Sequence, residues 1–451
     1  MAGVVICVDF GSTFTKAALV DLGEGRIVAS AEHRTTIETD VLDGYDACRA
    51  ALERQDPRAA DAPTLACSSA GGGLRIAVVG NEELVTAEAG RRVALSSGGK
   101  VVAVFAASRG DDLADLPASE PDVVLLTGGT DGGNRDRILA CAHAVAEAWH
   151  GPTVVAGNID AQADVAEILA HRPLVVAPNI VPRIGVLAPE GARSAIRELF
   201  LSHVIGGKQL SSRADFPAMV QGATPDVVLT GVELLAEVSG DVVVVDVGGA
   251  TTDVHSVVGL DPQDAGLSRE VVATTRVTRT VEGDLGLRWS AVTTAEAAGR
   301  DELAEGAVRR RADVAFVPQD DTERHLDEEI ARAAVGLALR RHAGRSKVVV
   351  SPEGRVVERS GKDLREVGLL VGSGGVLRHG RPGVAERVFA GSIGEVDGGW
   401  QLPRQARVTV DVEYVLAAAG LLAGRHPEAA RRLVGSLAKA GQRPRGAHTL
   451  G

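Results

Sequence analysis

The chain has 451 residues, a formal net charge of −12 and 54 glycines. At roughly 100–200 residues per domain, that length implies about three domains. Hydrophobic residues at 45% and charged residues at 24% are those of a chain that buries large cores, which excludes extended disorder. The acidic balance argues against broad nucleic-acid binding, and aromatics at 3% argue against stacking platforms for single strands.

The chain opens MAGVVICVDFGS, with no basic leader, and no apolar run of about 18 residues follows anywhere, so a soluble, cytoplasmic protein without membrane spans is expected. Val4 to Val8 form a β-branched run that ends on Asp9, passes a Gly/Ser/Thr turn and resumes at Ala17-Ala18-Leu19-Val20. This predicts a buried strand, a tight turn and a returning strand. Residues 101–106, 123–127, 154–156 and 174–177 read as short strands, with helices over 137–149 and 161–170, the alternation of an α/β class. Residues 178–222, with four prolines and a helix expected at 191–201, read as a connector or insertion. Val242 to Val245 then repeat the opening grammar, ending on Asp246. Helical spacing covers 321–342, a strand is expected at 347–351, and Val367 to Val371 run into Gly372-Ser373-Gly374-Gly375. Helices are expected at 412–423 and 427–438, and fraying at 442–451. The expected organisation is a first lobe over 1–177, the connector 178–222, a second lobe over 223–441 and the tail 442–451.

Four cysteines (Cys7, Cys48, Cys67, Cys141) stand far apart, with no C-x-x-C pair and no H-E-x-x-H helix. That spacing argues against a thiol-built zinc site and a disulfide framework.

The chemistry concentrates in the two Asp turns. In Asp9-x-Gly11-Ser12-Thr13-x-Thr15-Lys16, successive backbone N–H groups can cradle phosphate oxygens. Gly11 permits close approach, Ser12 and Thr13 add hydroxyls, and Lys16, one of only six lysines, adds a point charge. A carboxylate ending a hydrophobic strand is costly without a partner, and a hydrated Mg²⁺, held through one or two carboxylates, supplies one. A hairpin with polar turn residues explains either turn taken singly. The second copy, Asp246-x-Gly248-Gly249-x-Thr251-x-Asp253, shifts the balance towards two turns clamping one nucleotide–metal complex. The run 372–375 adds a glycine-lined slot for an adenine ring. The run Ser68 to Gly73 is equally well read as a glycine hairpin or a phosphate contact, and Gly128 to Gly133 as a connecting loop or a contact to a nucleotide or a partner. No Walker G-x-x-x-x-G-K-[ST] is present.

In this order the motifs resemble those of the actin, Hsp70 and sugar-kinase ATPases: DFGSTFTK the first phosphate motif, DVGGATTD the second, GSGG the adenosine motif. The runs GGGLR from Gly71, TGGTDGGN from Thr127, AGNIDAQ from Ala156 and VDVGGATTDVHS from Val245 resemble the glutamate mutase MutL family, accessory proteins of adenosylcobalamin-dependent glutamate mutase and distinct from the mismatch-repair proteins of that name. The resemblance implies an α/β, two-lobed, ribonuclease-H-like ATPase fold with duplicated mixed sheets and an interlobe nucleotide cleft. ATP and Mg²⁺ are the implied cofactors, with no cobalamin bound directly. Asp9, Asp246 and Asp253 are the implied metal carboxylates. Gly11, Ser12, Thr13, Thr15, Lys16, Gly248, Gly249 and Thr251 are the phosphate-binding set, and Gly372, Gly374 and Gly375 the adenosine-binding set. One departure stands out: Thr224 precedes Pro225 where Hsp70-like members carry a carboxylate. Asp226 or Glu233 could substitute as the group that orients water, or either could be a solvated helix residue. The implied role is an ATP-dependent, slowly hydrolysing helper of a cobalamin mutase. The alternatives on the same fold are a small-molecule kinase and a nucleotide-gated scaffold.

Overall fold

A computed structural model describes residues 3–259, 275–351 and 354–440, so the expected tail 442–451 lies outside the described residues. Strands β1 (Val4–Phe10), β2 (Phe14–Asp21) and β3 (Arg26–Arg34) form an antiparallel meander. The helix Val41–Gln55 follows, and β4 (Thr64–Ser68) then lies parallel to β1. From there the chain leaves the sheet. Strands β5 (Leu74–Gly80), β6 (Gly99–Ala106), β7 (Val123–Leu126), β8 (Thr153–Val155) and β9 (Leu174–Val176) form a separate, all-parallel sheet in the order β6-β5-β7-β8-β9. Helices Glu88–Ser96, Asp136–Ala148 and Gln162–Ile168 connect them, as parallel strands require.

The stretch 178–222 contains the helix Glu190–Leu199 and ends in β10 (Val220–Ala223), which pairs parallel with β4 and completes the first sheet as β10-β4-β1-β2-β3. The helix Thr224–Ser239 then leads into β11 (Val242–Val247), β12 (Thr252–Val257) and β13 (Val277–Glu282). The helix Asp321–His342 and a hairpin of β14 (Arg345–Ser351) and β15 (Gly354–Ser360) follow. Strands β16 (Leu369–Ser373) and β17 (Arg407–Val410) pair parallel beside β11. The second sheet reads β17-β16-β11-β12-β13, the same plan as the first: an antiparallel meander flanked by two parallel strands. The fold is therefore a duplicated two-lobed α/β architecture with a parallel-sheet domain inserted in its first lobe.

The opening strand of each lobe is apolar on both faces because both faces are covered. Along β1, Ile6, Val8 and Phe10 enter the first-lobe core, while Val5 and Cys7 enter a core shared between the lobes. Along β11, Val243 and Val245 enter the second-lobe core, and Val242 and Val244 face that same shared core. Fully burying each such side chain is worth about 1.5–3 kcal/mol. The shared core is filled by helices Thr224–Ser239, Val415–Leu422 and Pro427–Ala440. Two of them cross at backbone distance. A Cβ on Gly231 would stand 2.1 Å from the Leu416 carbonyl oxygen, and one on Gly420 would stand 1.9 Å from that of Val227. Only glycine permits that crossing.

Candidate functional site

Each lobe presents one hairpin turn at the end of its first strand, closed in the same way. Gly11 N–H donates to the Phe14 carbonyl at 3.1 Å, and Gly248 N–H donates to the Thr251 carbonyl at 2.9 Å. The carbonyls of both turns are tied down from outside. Thr35 donates its hydroxyl to Gly11 O at 2.7 Å and its N–H to Thr13 O, while the N–H groups of Leu287 and Arg288 bind Gly248 O and Gly249 O. No peptide bond among the described residues is cis, so in each unit C=O and N–H point opposite ways. The amides of Ser12, Phe14, Gly249 and Ala250 are therefore turned away from those anchors. This is how a short turn becomes a nest for oxyanions.

The register places Asp9 opposite Lys16 in the first hairpin and Asp246 opposite Asp253 in the second. The two carboxylates thus hold equivalent places in the duplicated plan, and their neighbours on the adjacent parallel strand, Cys67 and Ser373, are equivalent as well. Asp246 stands open to solvent yet low among protein groups, and that confinement, together with Asp253, pushes its carboxyl up, with Lys16 and Ser373 opposing. Burial alone would lower the Lys16 ammonium, but Asp9, Tyr414 and Asp246 together hold it above its ordinary value. The three charges share one locality. Lys16 Nζ also lies 3.9 Å from the centre of the Tyr414 ring, whose other neighbour is the Arg378 guanidinium at 3.6 Å. Tyr414 has φ 58°, a left-handed conformation costly for a bulky residue. A cavity of about 430 Å³ opens beside Asp9, Lys16, Glu32, Arg378 and Tyr414.

Of the remaining sequence candidates, Ser12 and Thr13 are exposed at the turn tip. Thr15 is fully buried beneath it, its hydroxyl 3.4 Å from that of Thr35. Thr251 donates to Asp253 at 3.1 Å, and Asp253 is ion-paired with Arg279. Gly372 packs against Leu377 and Phe389, Gly374 has φ 105° and would put a Cβ 2.2 Å from the Val247 carbonyl oxygen, and Gly375 borders open space. The slot at 372–375 thus abuts the second hairpin through Val247. Asp226 lies in an ion pair, Arg197 Nε donating to it at 2.6 Å with Arg193 at 3.7 Å, and Glu233 takes the other Arg193 nitrogen at 2.9 Å. Thr224 instead donates directly to Asp9 at 2.6 Å.

Sequence reasoning passed over Arg279, Arg378, Asp411 and Tyr414. Asp411 is buried, bonded to the N–H groups of Val415 and Leu416, and pushed up to about 6 by burial. The one local signal was an Asp directly before the expected helix 412–423; the helix begins at Val415, with Tyr414 as its N-cap residue.

Two sheets of one strand order, each ending its first strand in an acidic, glycine-bearing turn, define the class: a two-lobed protein on the plan of actin, Hsp70 and the sugar kinases. The comparisons narrow this. The chain matches the MutL protein family over residues 5–437. It is 36% identical to Protein MutL of Clostridium tetanomorphum, over 95% of this chain and 98% of that relative. The chain belongs to the MutL family. Among solved structures it is similar to gluconate kinase from Lactobacillus acidophilus (TM-score 0.35, 12% identity, 98% of this chain and 92% of the kinase). It is also similar to the activator of 2-hydroxyisocaproyl-CoA dehydratase from Clostridium difficile, solved with bound ADPNP (TM-score 0.30, 12% identity, 94% of this chain and 95% of the activator). No helix among the described residues is long and apolar enough to cross a membrane.

Proposed function

We propose that the chain is an ATP-binding, slowly hydrolysing accessory protein that acts on an adenosylcobalamin-dependent mutase. The observation that carries this reading is the meeting of Asp9 and Asp246, from equivalent places in the two lobes, on the single lysine Lys16. The residues present suit a hydrated Mg²⁺. No cluster of three or more His, Cys, Asp or Glu among the described residues is placed to hold a metal, but Mg²⁺ keeps most of its waters and needs only one or two carboxylates. Asp246, confined beside Asp253, gains from a nearby cation. Bound ATP·Mg²⁺ would supply the scissile phosphoryl bond and the metal charge that offsets it.

Within this reading Asp9, Asp246 and Asp253 are the carboxylates that would hold a hydrated metal, Asp253 standing opposite Asp246 across the hairpin. Gly11, Ser12, Thr13, Gly248, Gly249 and Thr251 hold phosphate oxygens through the turns, Thr15 supports the first turn from beneath, and Lys16 neutralises the β- or γ-phosphate. Gly372, Gly374 and Gly375 face the adenosine. Catalysis in such a site is positioning and charge stabilisation, without a covalent nucleophile. Thr224 cannot polarise an attacking water as a carboxylate does, and Asp226 and Glu233 are engaged by arginines. Turnover is therefore slow alone, and closure of the lobes by a partner raises it. Cobalamin itself is not bound.

The test is ATP consumption by the full chain, with and without an adenosylcobalamin mutase. Basal turnover should fall well below the ~10 s⁻¹ median of enzymes and rise at least about tenfold with the mutase, equivalent to ~1.4 kcal/mol of barrier. Lys16→Ala should abolish the stimulated rate. Fast hydrolysis without a partner, or phosphorylation of a small-molecule acceptor in step with ADP release, would overturn the reading, the latter in favour of a kinase.

A further inference from the structure

A second cavity, of about 210 Å³, lies between the inserted domain and the second lobe. The helix Glu88–Ser96 contributes Arg91 and Arg92 from one side, and Arg279, Arg341 and Lys362 come from the other. Hydroxyls of Thr278 and Thr280 complete the wall, and no Asp or Glu is among the described residues that line it. The balancing carboxylates stand behind the cations: Glu88 holds Arg91 and Arg92, Asp253 holds Arg279, and Glu282 and Asp284 hold Arg341. The cavity therefore meets guanidinium and ammonium groups first.

Lys362 is the unusual member. It is 4% exposed and spends one N–H on the Arg276 carbonyl at 3.0 Å. An ammonium has three donors, and the other two have no partner among the described residues. Burial, with Arg92 nearby, pushes Lys362 down to about 7 against the pull of Asp241. His342, the remaining titratable neighbour, is kept neutral by burial and by Lys362 itself, with its ring nitrogens facing Thr280 and Ser256 at 2.8 and 2.7 Å. A buried ammonium with unspent donors is costly unless an anion pairs with it.

We propose that this cavity binds a small divalent anion, phosphate or a short dicarboxylate, clamped between the inserted domain and the second lobe. Sites for drug-sized ligands measure ≈ 300–1,000 Å³, so a nucleotide is too large for it. Guanidinium forks match both carboxylate and phosphate oxygens. Arg279 would make the bound anion a structural link. It donates to the Leu95 and Gly99 carbonyls in the inserted domain while holding Asp253, which stands opposite Asp246. An anion on Arg279 is thus one side chain from the second phosphate turn.

The experiment is titration calorimetry on the full chain at pH 8, with inorganic phosphate and succinate as separate probes and chloride at matched ionic strength as control. Two buffers of different ionisation heat report proton exchange. The expected result is saturable binding of at least one probe with close to one proton taken up, because Lys362 passes from mostly neutral to charged. The tighter probe identifies the source of the anion. Lys362→Met should remove the proton uptake and weaken binding at least about tenfold, ~1.4 kcal/mol. Arg91→Gln, at a side chain 43% exposed, should weaken binding even if Lys362→Met fails to fold. Binding of neither probe, or no loss in Arg91→Gln, overturns the proposal. So does binding lost in Lys16→Ala but kept in Lys362→Met, which would put the anion between the phosphate turns.

Discussion

Thr224 donates its hydroxyl to Asp9 Oδ1 at 2.6 Å, across 215 residues of sequence. The bond joins the first residue of the interlobe helix Thr224–Ser239 to the end of β1. It ties the first carboxylate to the element that joins the two lobes.

Thr224→Val keeps the shape of the side chain and removes the donor. Hydrogen bonds to charged groups contribute about 1.5–3 kcal/mol, and urea unfolding of the variant should show a loss in that range. Asp9 would then keep only the weaker Cys67 thiol donor at 3.7 Å on that oxygen, and Mg²⁺-dependent ATP binding should weaken. An unchanged unfolding midpoint would mean that the bond contributes nothing in solution.

Asp246→Asn should separate binding from stability. The Asp246 carboxyl is pushed up by its surroundings, so its charge is less favourable folded than unfolded. The penalty sets in as pH rises through the ordinary carboxylate range and grows towards the raised value. The amide removes it. Melting at pH 7 should be unchanged or higher, while Mg²⁺-dependent nucleotide turnover drops steeply. A lower melting temperature would make Asp246 a structural residue.

ATP·Mg²⁺ should raise thermal stability, because a ligand that binds only the folded state stabilises it by mass action. At about a hundred times its dissociation constant the gain is roughly 2.7 kcal/mol. Melting at millimolar ATP with magnesium checks this, and an unmoved transition would count against nucleotide binding altogether.

Glu328 provides a prediction with the opposite pH sign. It is buried on the helix Asp321–His342 and forked by Arg381 and Arg387, which follow the glycine slot at 372–375. Burial would raise its carboxyl, but the two arginines hold it down to about 2, from 4.5. This contribution is whole above about pH 4.5 and is lost as pH falls towards 2. Glu328→Gln should lower stability at pH 7 by about 1–3 kcal/mol and flatten the acid limb of the pH–stability curve. An acid limb of unchanged steepness would place the acid-sensitive pair elsewhere.

Local chemistry made part of this protein legible in its residues alone. An Asp ending a valine run before a Gly/Ser/Thr turn specifies a strand, a hairpin and a polar tip through steric and hydrogen-bonding rules that act within ten residues. The helix at 321–342 is legible for the same reason, its apolar spacing being local, and it is found at those bounds. The inserted strands β6, β7, β8 and β9 were expected within about two residues of where they lie. β5 was hidden because Gly71 to Gly73 read as a turn and its strand pairs only with the distant β6 and β7. Only the tertiary structure decided that 178–222 ends in a strand beside β4, and that Thr224 takes Asp9 while Arg197 takes Asp226. It also decided that Arg279, Lys362, Arg378 and Tyr414 gather at cavities. Those outcomes depend on which side chains meet across hundreds of residues. Burial sets the cost of leaving such groups unpaired, and burial is a property of the packed chain rather than of any local stretch.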